Sequence, residues 1–346
     1  GAPLLASDPH LALRTPGIWY LAALEAPGLA VAGGTLPGLP IVTIGRTPDI
    51  AWGFTATHAD TQDLFVERLD PSDPGRYLTP DGSEPFTVRE ETIQVRGGAP
   101  ERSRVRETRH GPVISDLVGS LPEGIGAGHV LALAWPALRA EDRTVTAGFA
   151  LATAGDWPSF RRALADFASP VQNVAYADRH GTIAFATVGR IPVRRAGDGR
   201  LPVPGWDGSH DWTGFVPIDE LPSAVAPAGG VIVNANNRVV PDGYPYLVAA
   251  EWPTAYRAER LTALLADRTA VGLDEAAAVQ LDLRSGIAER LLPHLPPAPP
   301  DDRTAREVIE ALRGWDRRMR PDRPEPLIFA AWYEALATRV AADELG

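Results

Sequence analysis

Hydrophobic and polar positions divide the chain into two regions with different periods. Up to about Val240, short apolar runs are separated by turn residues, a pattern that predicts β-strands. Residues 39–45 and 50–56 are apolar runs bounded by proline or glycine, and they predict strands buried on both faces. After Trp252 the apolar residues recur at helical spacing instead. We therefore expect strands first and helices afterwards.

Two hairpins and one further strand are expected in the first region. Residues 86–95 and 103–110 alternate charged with apolar side chains, as strands with one face in water do. Residues 171–177 and 182–188 are joined by the turn sequence Asp-Arg-His-Gly. Residues 231–233 form an apolar run, and we expect a strand there that leads into an asparagine-rich turn.

One helix is expected among the strands and several after them. Asp156 is a suitable N-cap, and Pro158 fits the first turn that follows it. The later helices are expected over residues 256–266, 273–287, 301–315 and 326–343. This order favours an α+β fold over a parallel βαβ array. We expect a strand-rich core over residues 1–250 and a mostly helical region over residues 251–346.

Composition excludes several classes of function. The net charge of −11 argues against a nucleic-acid partner, and no apolar run approaches the length of a membrane span. The chain has no cysteine, and all 33 basic residues are arginine, which excludes thiol, Schiff-base and phosphate-loop lysine chemistry. The sequence also lacks the Gly-x-Ser-x-Gly and His-Glu-x-x-His motifs of common hydrolases.

Two turns carry residues that point to acyl transfer. Ala56 ends an apolar run, and Asn236 lies in the sequence Asn-Ala-Asn-Asn-Arg. A small residue at a strand end can offer a bare backbone N–H, and an asparagine can offer a side-chain N–H. Two such donors that converge form an oxyanion hole. From the residues alone, Asn236 is equally typical of a tight turn and Ala56 of an ordinary strand, so both interpretations stay open.

Several blocks of sequence resemble, in the same order, the β-subunit of the penicillin acylases, which are N-terminal-nucleophile (Ntn) hydrolases. The blocks are residues 7–11, 36–40, 52–55, 60–64, 110–113, 234–238 and 256–260. The resemblance implies the layered α+β Ntn fold, with two antiparallel sheets between helices and a helical region near the end. It also implies hydrolysis of a linear amide in a β-lactam, an acyl-homoserine lactone or a related small N-acyl compound.

The resemblance further implies a nucleophile that these residues do not include. Family members cut themselves from a precursor and free an N-terminal serine, whose own α-amine, with a pKa of roughly 7.7–8.0, acts as base. Gly1 matches the family about a dozen residues after that serine, so we interpret the chain as a β-subunit fragment, inactive alone. Its expected partner is the α-subunit of the same precursor, and its expected location is periplasmic or secreted.

A function from another class stays open beside this hypothesis. Under this alternative, the chain is a non-catalytic member of the same fold that binds a ligand. The coding sequence upstream of Gly1 distinguishes the two, because only the enzyme needs a Ser, Thr or Cys there.

The resemblance assigns roles to individual residues of the cleft. The backbone N–H of Ala56 and the side chain of Asn236 match the two halves of the oxyanion hole. His10 and Arg257 match residues near the nucleophile and the oxyanion asparagine, although each is also typical of a structural or ion-pairing residue. The positions that match the acyl pocket are Leu11, Ile44, Trp135 and Gln172, which are otherwise ordinary core residues.

A structural calcium ion is the only cofactor that the resemblance implies, and no organic cofactor is expected. Asp60, Gln62 and Asp63 match a turn that supplies two carboxylates and a backbone carbonyl, which are the hard oxygen ligands that calcium prefers. Gly199 matches a further carbonyl ligand. The two aspartates are also typical of residues that cap a turn through their own backbone.

Overall fold

The structure is a computed structural model that describes residues 2–118, 121, 124–266, 268, 270–297 and 301–345. The chain forms two compact units, Gly1–Pro253 and Thr254–Gly346. Among the residues described, no helix is both long enough and apolar enough to cross a membrane.

The first unit contains the strands. In chain order they are β1 (Tyr20–Ala26), β2 (Leu29–Thr35), β3 (Ile44–Arg46), β4 (Ile50–Ala56), β5 (Asp63–Asp70), β6 (Asp73–Thr79), β7 (Gly82–Pro85), β8 (Thr87–Ile93), β9 (Glu101–Thr108), β10 (Gly111–Pro112), β11 (His129–Ala134), β12 (Gln172–Asp178), β13 (Ile183–Val188), β14 (Pro192–Arg194), β15 (Val203–Pro204), β16 (Trp212–Phe215) and β17 (Ser223–Val225).

These strands form antiparallel sheets. The largest has the order β1-β2-β3-β4-β12-β13-β17, and a second has the order β11-β5-β6-β7 with β15 parallel to β5. The expected strand at Ile50–Ala56 is confirmed, as are the hairpins β8–β9 and β12–β13.

Helices occur in both units. They are α1 (Ser115–Val118), α2 (Thr144–Leu151), α3 (Trp157–Leu164), α4 (Tyr256–Leu265), α5 (Leu273–Gln280), α6 (Gly286–Leu291), α7 (Arg303–Gly314) and α8 (Glu325–Leu345). Short 3-10 turns cover Pro136–Leu138 and Leu292–His294. The predicted mixture of antiparallel strands and helices, an α+β fold, is therefore confirmed.

Helix α3 covers one face of the seven-stranded sheet at β4 and β12. It begins as expected, because the Asp156 carboxylate accepts a 2.8 Å hydrogen bond from the backbone N–H of Ser159. The Phe160 ring is completely buried and lies 6.1 Å from the Trp52 ring and 4.9 Å from the Tyr176 ring. Since Trp52 and Tyr176 are partners on neighbouring strands, this aromatic cluster fixes the central pair of strands.

The opposite face of β4 carries the N-terminal segment of the chain. Gly53 has room for no side chain, because a Cβ there would lie 2.6 Å from Oγ of Ser7. The next residues on that face, Thr55 and Thr57, are half-buried and fully buried. The N-terminal segment therefore crosses β4 at Gly53.

Two expected strands differ from the structure. The strand predicted over residues 39–45 is reduced to Ile44–Arg46. Residues before it turn instead, since Thr35 bonds the carbonyl of Ile41 through its hydroxyl and Pro40 has no N–H to donate. Residues 231–233 are not a strand but irregular backbone that leads into the asparagine turn.

The predicted helix over residues 273–287 is interrupted in the second unit. It forms as α5 and α6, separated by a bend at which Ser285 caps α6 by accepting a hydrogen bond from the N–H of Ala288. Asp282 in this bend forms an ion pair with Arg260 of α4, at 2.8 Å from Nε. Polar residues that can cap a helix and pair with a neighbour therefore divide an otherwise continuous pattern.

Candidate active site

Asn236 and Ala56 meet at the end of β4. The side-chain nitrogen Nδ2 of Asn236 donates a 2.8 Å hydrogen bond to the carbonyl oxygen of Ala56, across 180 positions of sequence. Ala56 is exposed and Asn236 is half-buried, so the contact lies where a ligand can approach. The two residues expected to provide an oxyanion hole are thus neighbours.

The backbone N–H of Ala56 points to the same side of β4 as this contact. The next residue, Thr57, donates its N–H to the carbonyl of Val171 on the β12 side. Because the N–H and C=O of successive strand residues alternate in direction, both groups of Ala56 point away from β12. On that other edge, β3 pairs with β4 nearer the start of the strand. The Ala56 N–H and the Asn236 amide therefore share one open edge.

The turn around Asn236 is held by its own asparagines. Asn236 has a left-handed backbone, with φ of 65°. Asn234 accepts the Asn236 N–H at 3.4 Å, and Asn237 accepts the Ala235 N–H at 3.1 Å. Asparagine tolerates this conformation better than most residues do, so the turn accounts for its residue type as well as for its position.

His10 lies on the exposed N-terminal segment. Its Nε2 is 3.9 Å from the Asp8 carboxylate, and 61% of its side chain is exposed. Arg257 belongs to the second unit, where it is the second residue of α4. His10 thus lies in the same unit as Ala56 and Asn236, whereas Arg257 lies in the second unit.

The four candidate pocket residues lie on three different parts of the first unit. Gln172 is the cross-strand partner of Ala56, and Ile44 begins β3 two strands away in the same sheet. Trp135 follows β11 of the second sheet and is half-buried, whereas Leu11 is 53% exposed on the N-terminal segment. Of the four, Gln172 is the one that the strand register sets beside the Ala56 and Asn236 pair.

A buried ion pair lies at the far end of the β4–β5 connection. Asp63 begins β5, and its two carboxylate oxygens accept hydrogen bonds of 2.8 Å each from Nε and Nη2 of Arg194. The Nε1–H of Trp212 donates a further bond of 2.5 Å to the same carboxylate. The Arg194 and Asp63 side chains are 4% and 3% exposed. The carboxylate is therefore fully engaged and screened from water.

The other candidate calcium ligands adjoin this pair. The Asp60 carbonyl accepts a 2.9 Å bond from Nη2 of Arg194, and its carboxylate accepts a 2.5 Å bond from the N–H of Ala250. Gly199, with φ of 79°, lies so close that a Cβ on it would be 2.8 Å from the same Nη2. Gln62 is exposed beside an open cavity of about 300 Å³.

These residues do not fit a calcium ion as they stand. Arg194 already bonds both carboxylate oxygens of Asp63, and its positive charge would repel a divalent ion held on the same carboxylate. Within the described residues, no group of three or more acidic or histidine side chains is arranged to hold a metal. The cationic group at this turn is a guanidinium.

A second buried charged cluster is centred on His110. Its Nδ1 lies 2.6 Å from the Glu67 carboxylate, its Nε2 lies 3.1 Å from that of Asp211, and its ring stacks on Phe65 at 3.7 Å. Burial alone would raise the pKa of Asp211, but hydrogen bonds from Arg109 and His110 outweigh it and lower that pKa. Packing and hydrogen bonding to two carboxylates thus account for His110, which makes it a structural residue.

Arg194 and Trp212 are the residues that sequence reasoning missed. They are cross-strand partners in the pair β14–β16, and both point their N–H groups at Asp63. Arg194 is 131 positions from Asp63, and nothing in the surrounding Pro-Val-Arg-Arg sequence distinguishes it from other arginines.

Comparisons with known proteins relate the chain to acylases. A family model described as penicillin amidase matches residues 1–346. The acyl-homoserine lactone acylase QuiP of Pseudomonas fluorescens is 36% identical over 253 residues, which cover 73% of this chain and 30% of the relative. The penicillin acylase 2 proenzyme of a Pseudomonas species is 32% identical over 259 residues, or 74% of this chain and 32% of the relative.

A solved structure is similar over nearly the whole chain. The thermostable penicillin G acylase from Alcaligenes faecalis matches with a TM-score of 0.76 and 27% identity, covering 96% of this chain and 60% of that one. The chain spans less than half the length of the curated relatives that it matches.

Proposed function

The chain belongs to the penicillin amidase family, and from this premise we propose that the full-length protein is an acylase that hydrolyses a linear amide through an oxyanion hole formed by Ala56 and Asn236. Its α+β fold, with antiparallel sheets and helices, is that of the Ntn hydrolase penicillin G acylase, as expected from the sequence. The hydrolytic step, the substrate and the partner chain belong to the proposal.

The proposed reaction uses the N-terminal serine that the family resemblance implies. Its hydroxyl oxygen attacks the amide carbonyl carbon, and its own α-amine takes the hydroxyl proton. The carbonyl oxygen becomes an oxyanion that accepts hydrogen bonds from the Ala56 N–H and from Nδ2 of Asn236. When the tetrahedral centre collapses, the C–N bond breaks and the departing amine takes the proton. Water then adds to the acyl-enzyme by the same route and releases the acid.

One observation carries this proposal. The Asn236 amide reaches the edge of β4 at Ala56, and the Ala56 N–H points to that same edge because Thr57 bonds Val171 on the opposite side. Donors fixed in this way before the substrate arrives lower the barrier most, by about 2.7–4 kcal/mol for each donor.

The substrate class follows from the relatives rather than from a described pocket. The relatives are named acyl-homoserine lactone acylase and penicillin acylase, and both names denote removal of an acyl group from an amine. We therefore propose an N-acyl compound of either kind. One relative is called a proenzyme, which supports an α-subunit cut from the same precursor as the partner. A periplasmic or secreted location is proposed on the family resemblance.

The substitution Asn236→Ala in the full-length protein tests the role of the side-chain donor. We expect turnover of a phenylacetyl, glutaryl or long-chain acyl amide to fall by about a hundredfold or more, measured as kcat from release of the amine. Arg238→Ala is the matched control, because in the contacts described that side chain bonds only Pro241 and Asp242, away from Ala56 and Asn236. Its turnover should stay within a few fold of wild type.

A second variant separates chemistry from folding. Alanine at a left-handed position is strained, so Asn236→Ala also loses some stability. Asn236→Gly removes the amide without this strain, and it should show the same loss of kcat with a near-wild-type unfolding midpoint. Wild-type turnover in both variants would refute the role of Asn236. A wild-type protein that binds N-acyl compounds but never releases the amine would favour the non-catalytic binding protein.

A further inference from the structure

We propose that the guanidinium of Arg194 is the built-in cation that fixes the β4–β5 connection of this chain, in the place where a divalent metal ion would otherwise be needed. The inference goes beyond the proposed function, because neither Ala56 nor Asn236 takes part in it. It accounts for a cluster of buried charge that lies at the other end of the β4–β5 connection from Ala56 and has no part in the proposed reaction.

The contacts between Arg194 and Asp63 have the geometry of a specific ion pair. Arg194 presents Nε and Nη2 to the two oxygens of Asp63 at 2.8 Å each, which is the two-pronged arrangement that a planar guanidinium makes with a carboxylate. Nη2 also bonds the Asp60 carbonyl at 2.9 Å. One side chain therefore binds both aspartates of the connection, Asp63 through its carboxylate and Asp60 through its carbonyl, as a metal ion would.

Neighbouring strands fix the position of the guanidinium. Arg194 ends β14 and pairs with Trp212 of β16, at a register shift that follows Val193. Trp212 donates its indole N–H to Asp63 at 2.5 Å. Because both members of one cross-strand pair bond the same carboxylate, the hairpin β14–β16 is joined to the start of β5.

The surrounding residues shield the Arg194–Asp63 pair from solvent. Gly199 packs against it so tightly that a Cβ would contact Arg194 and Asp63, and its φ of 79° favours glycine. The Nη1 of Arg194 is buried without a hydrogen-bond partner among the described residues, and Arg194 lines a cavity of about 120 Å³. That volume is large enough to hold water molecules.

Terbium(III) luminescence tests the inference at this position directly. Terbium occupies calcium sites, and its emission is sensitised by a nearby indole such as that of Trp212. In the full-length wild-type protein we expect no tryptophan-sensitised emission that depends on Asp63. Emission that appears in the wild type and disappears in Asp63→Asn would overturn the proposal, since it would show a metal on the carboxylate that we assign to Arg194.

Thermal unfolding of the full-length protein gives an independent test. In a calcium chelator, Arg194→Ala should lower the unfolding midpoint by a few degrees, because it leaves Asp63 buried without its partner. Arg195→Ala is the matched control, since the adjacent arginine is exposed and its backbone N–H keeps its bond to the carbonyl of Asp211 after the change. An equal midpoint for Arg194→Ala and wild type in chelator would contradict the proposal. If Arg194→Ala fails to fold, the terbium result on the wild type decides.

Discussion

The two ends of the connection between β4 and β5 differ in almost every physical respect. At Ala56 the strand ends exposed, and its backbone groups meet the Asn236 side chain at an open edge. At Asp63 the next strand begins with a carboxylate that is 3% exposed and bonded by Arg194 and Trp212. At Ala56 the hydrogen-bond donors stay accessible, whereas at Asp63 the carboxylate oxygens already accept hydrogen bonds.

This difference shows how a strand end can stay accessible to a ligand and still be held in a fixed position. Donors that stabilise a transition state must be held still before the substrate arrives, yet they cannot be covered. The Ala56 edge gains few contacts of its own, so its position depends on anchors on either side. The aromatic cluster at Trp52 lies on one side of it, and the Asp63–Arg194 pair lies on the other. We infer that the closed end supplies stability and the open end supplies chemistry.

The largest expected effect on stability belongs to the closed end. Asp63→Asn leaves the Arg194 charge buried without its counter-ion, and removing one partner of a buried pair costs about 3–5 kcal/mol of unfolding free energy. Urea unfolding of the full-length protein measures this loss, with Asn236→Gly as the comparison from the open end. The division of roles is wrong if Asn236→Gly loses as much stability as Asp63→Asn.

A smaller effect is expected at the second buried cluster, which is joined to β5 through Glu67. The folded-state pKa of Asp211 is lowered, so its ionised form adds stability above its unfolded pKa of about 3.9, and this stability is lost as the pH falls through the folded value. Asp211→Asn should therefore cost about 1–2 kcal/mol at neutral pH and progressively less below about pH 4. Unfolding free energies measured across this range check the trend. A cost that stays constant with pH would contradict it.

Local patterns in the sequence predicted much of the strand framework. The apolar run Ile50–Ala56 was marked by the proline and glycine residues that bound such runs. The Asp156 cap with Pro158 marked the start of α3. The proximity of Ala56 and Asn236 was expected through the family resemblance. Their roles in catalysis stay predictions.

The misses share a physical cause, which is that tertiary partners decided them. Residues 231–233 have strand-like composition but no neighbouring strand to pair with among those described, so they remain irregular. The Asp63–Arg194 pair joins positions 131 apart, and sequence spacing carries no information about such a contact. Calcium binding at Asp63 was expected through the family resemblance and stays a prediction, while the pairing of Asp63 with Arg194 could not be read from the chain.

The most direct test of the account is a crystal structure of the full-length protein with a tetrahedral phosphonate analogue of its acyl amide. We predict that one phosphonyl oxygen lies about 2.7–3.1 Å from both the backbone nitrogen of Ala56 and Nδ2 of Asn236. An analogue bound with that oxygen facing other donors, and with Asn236 still directed only at the Ala56 carbonyl, would contradict the central claim.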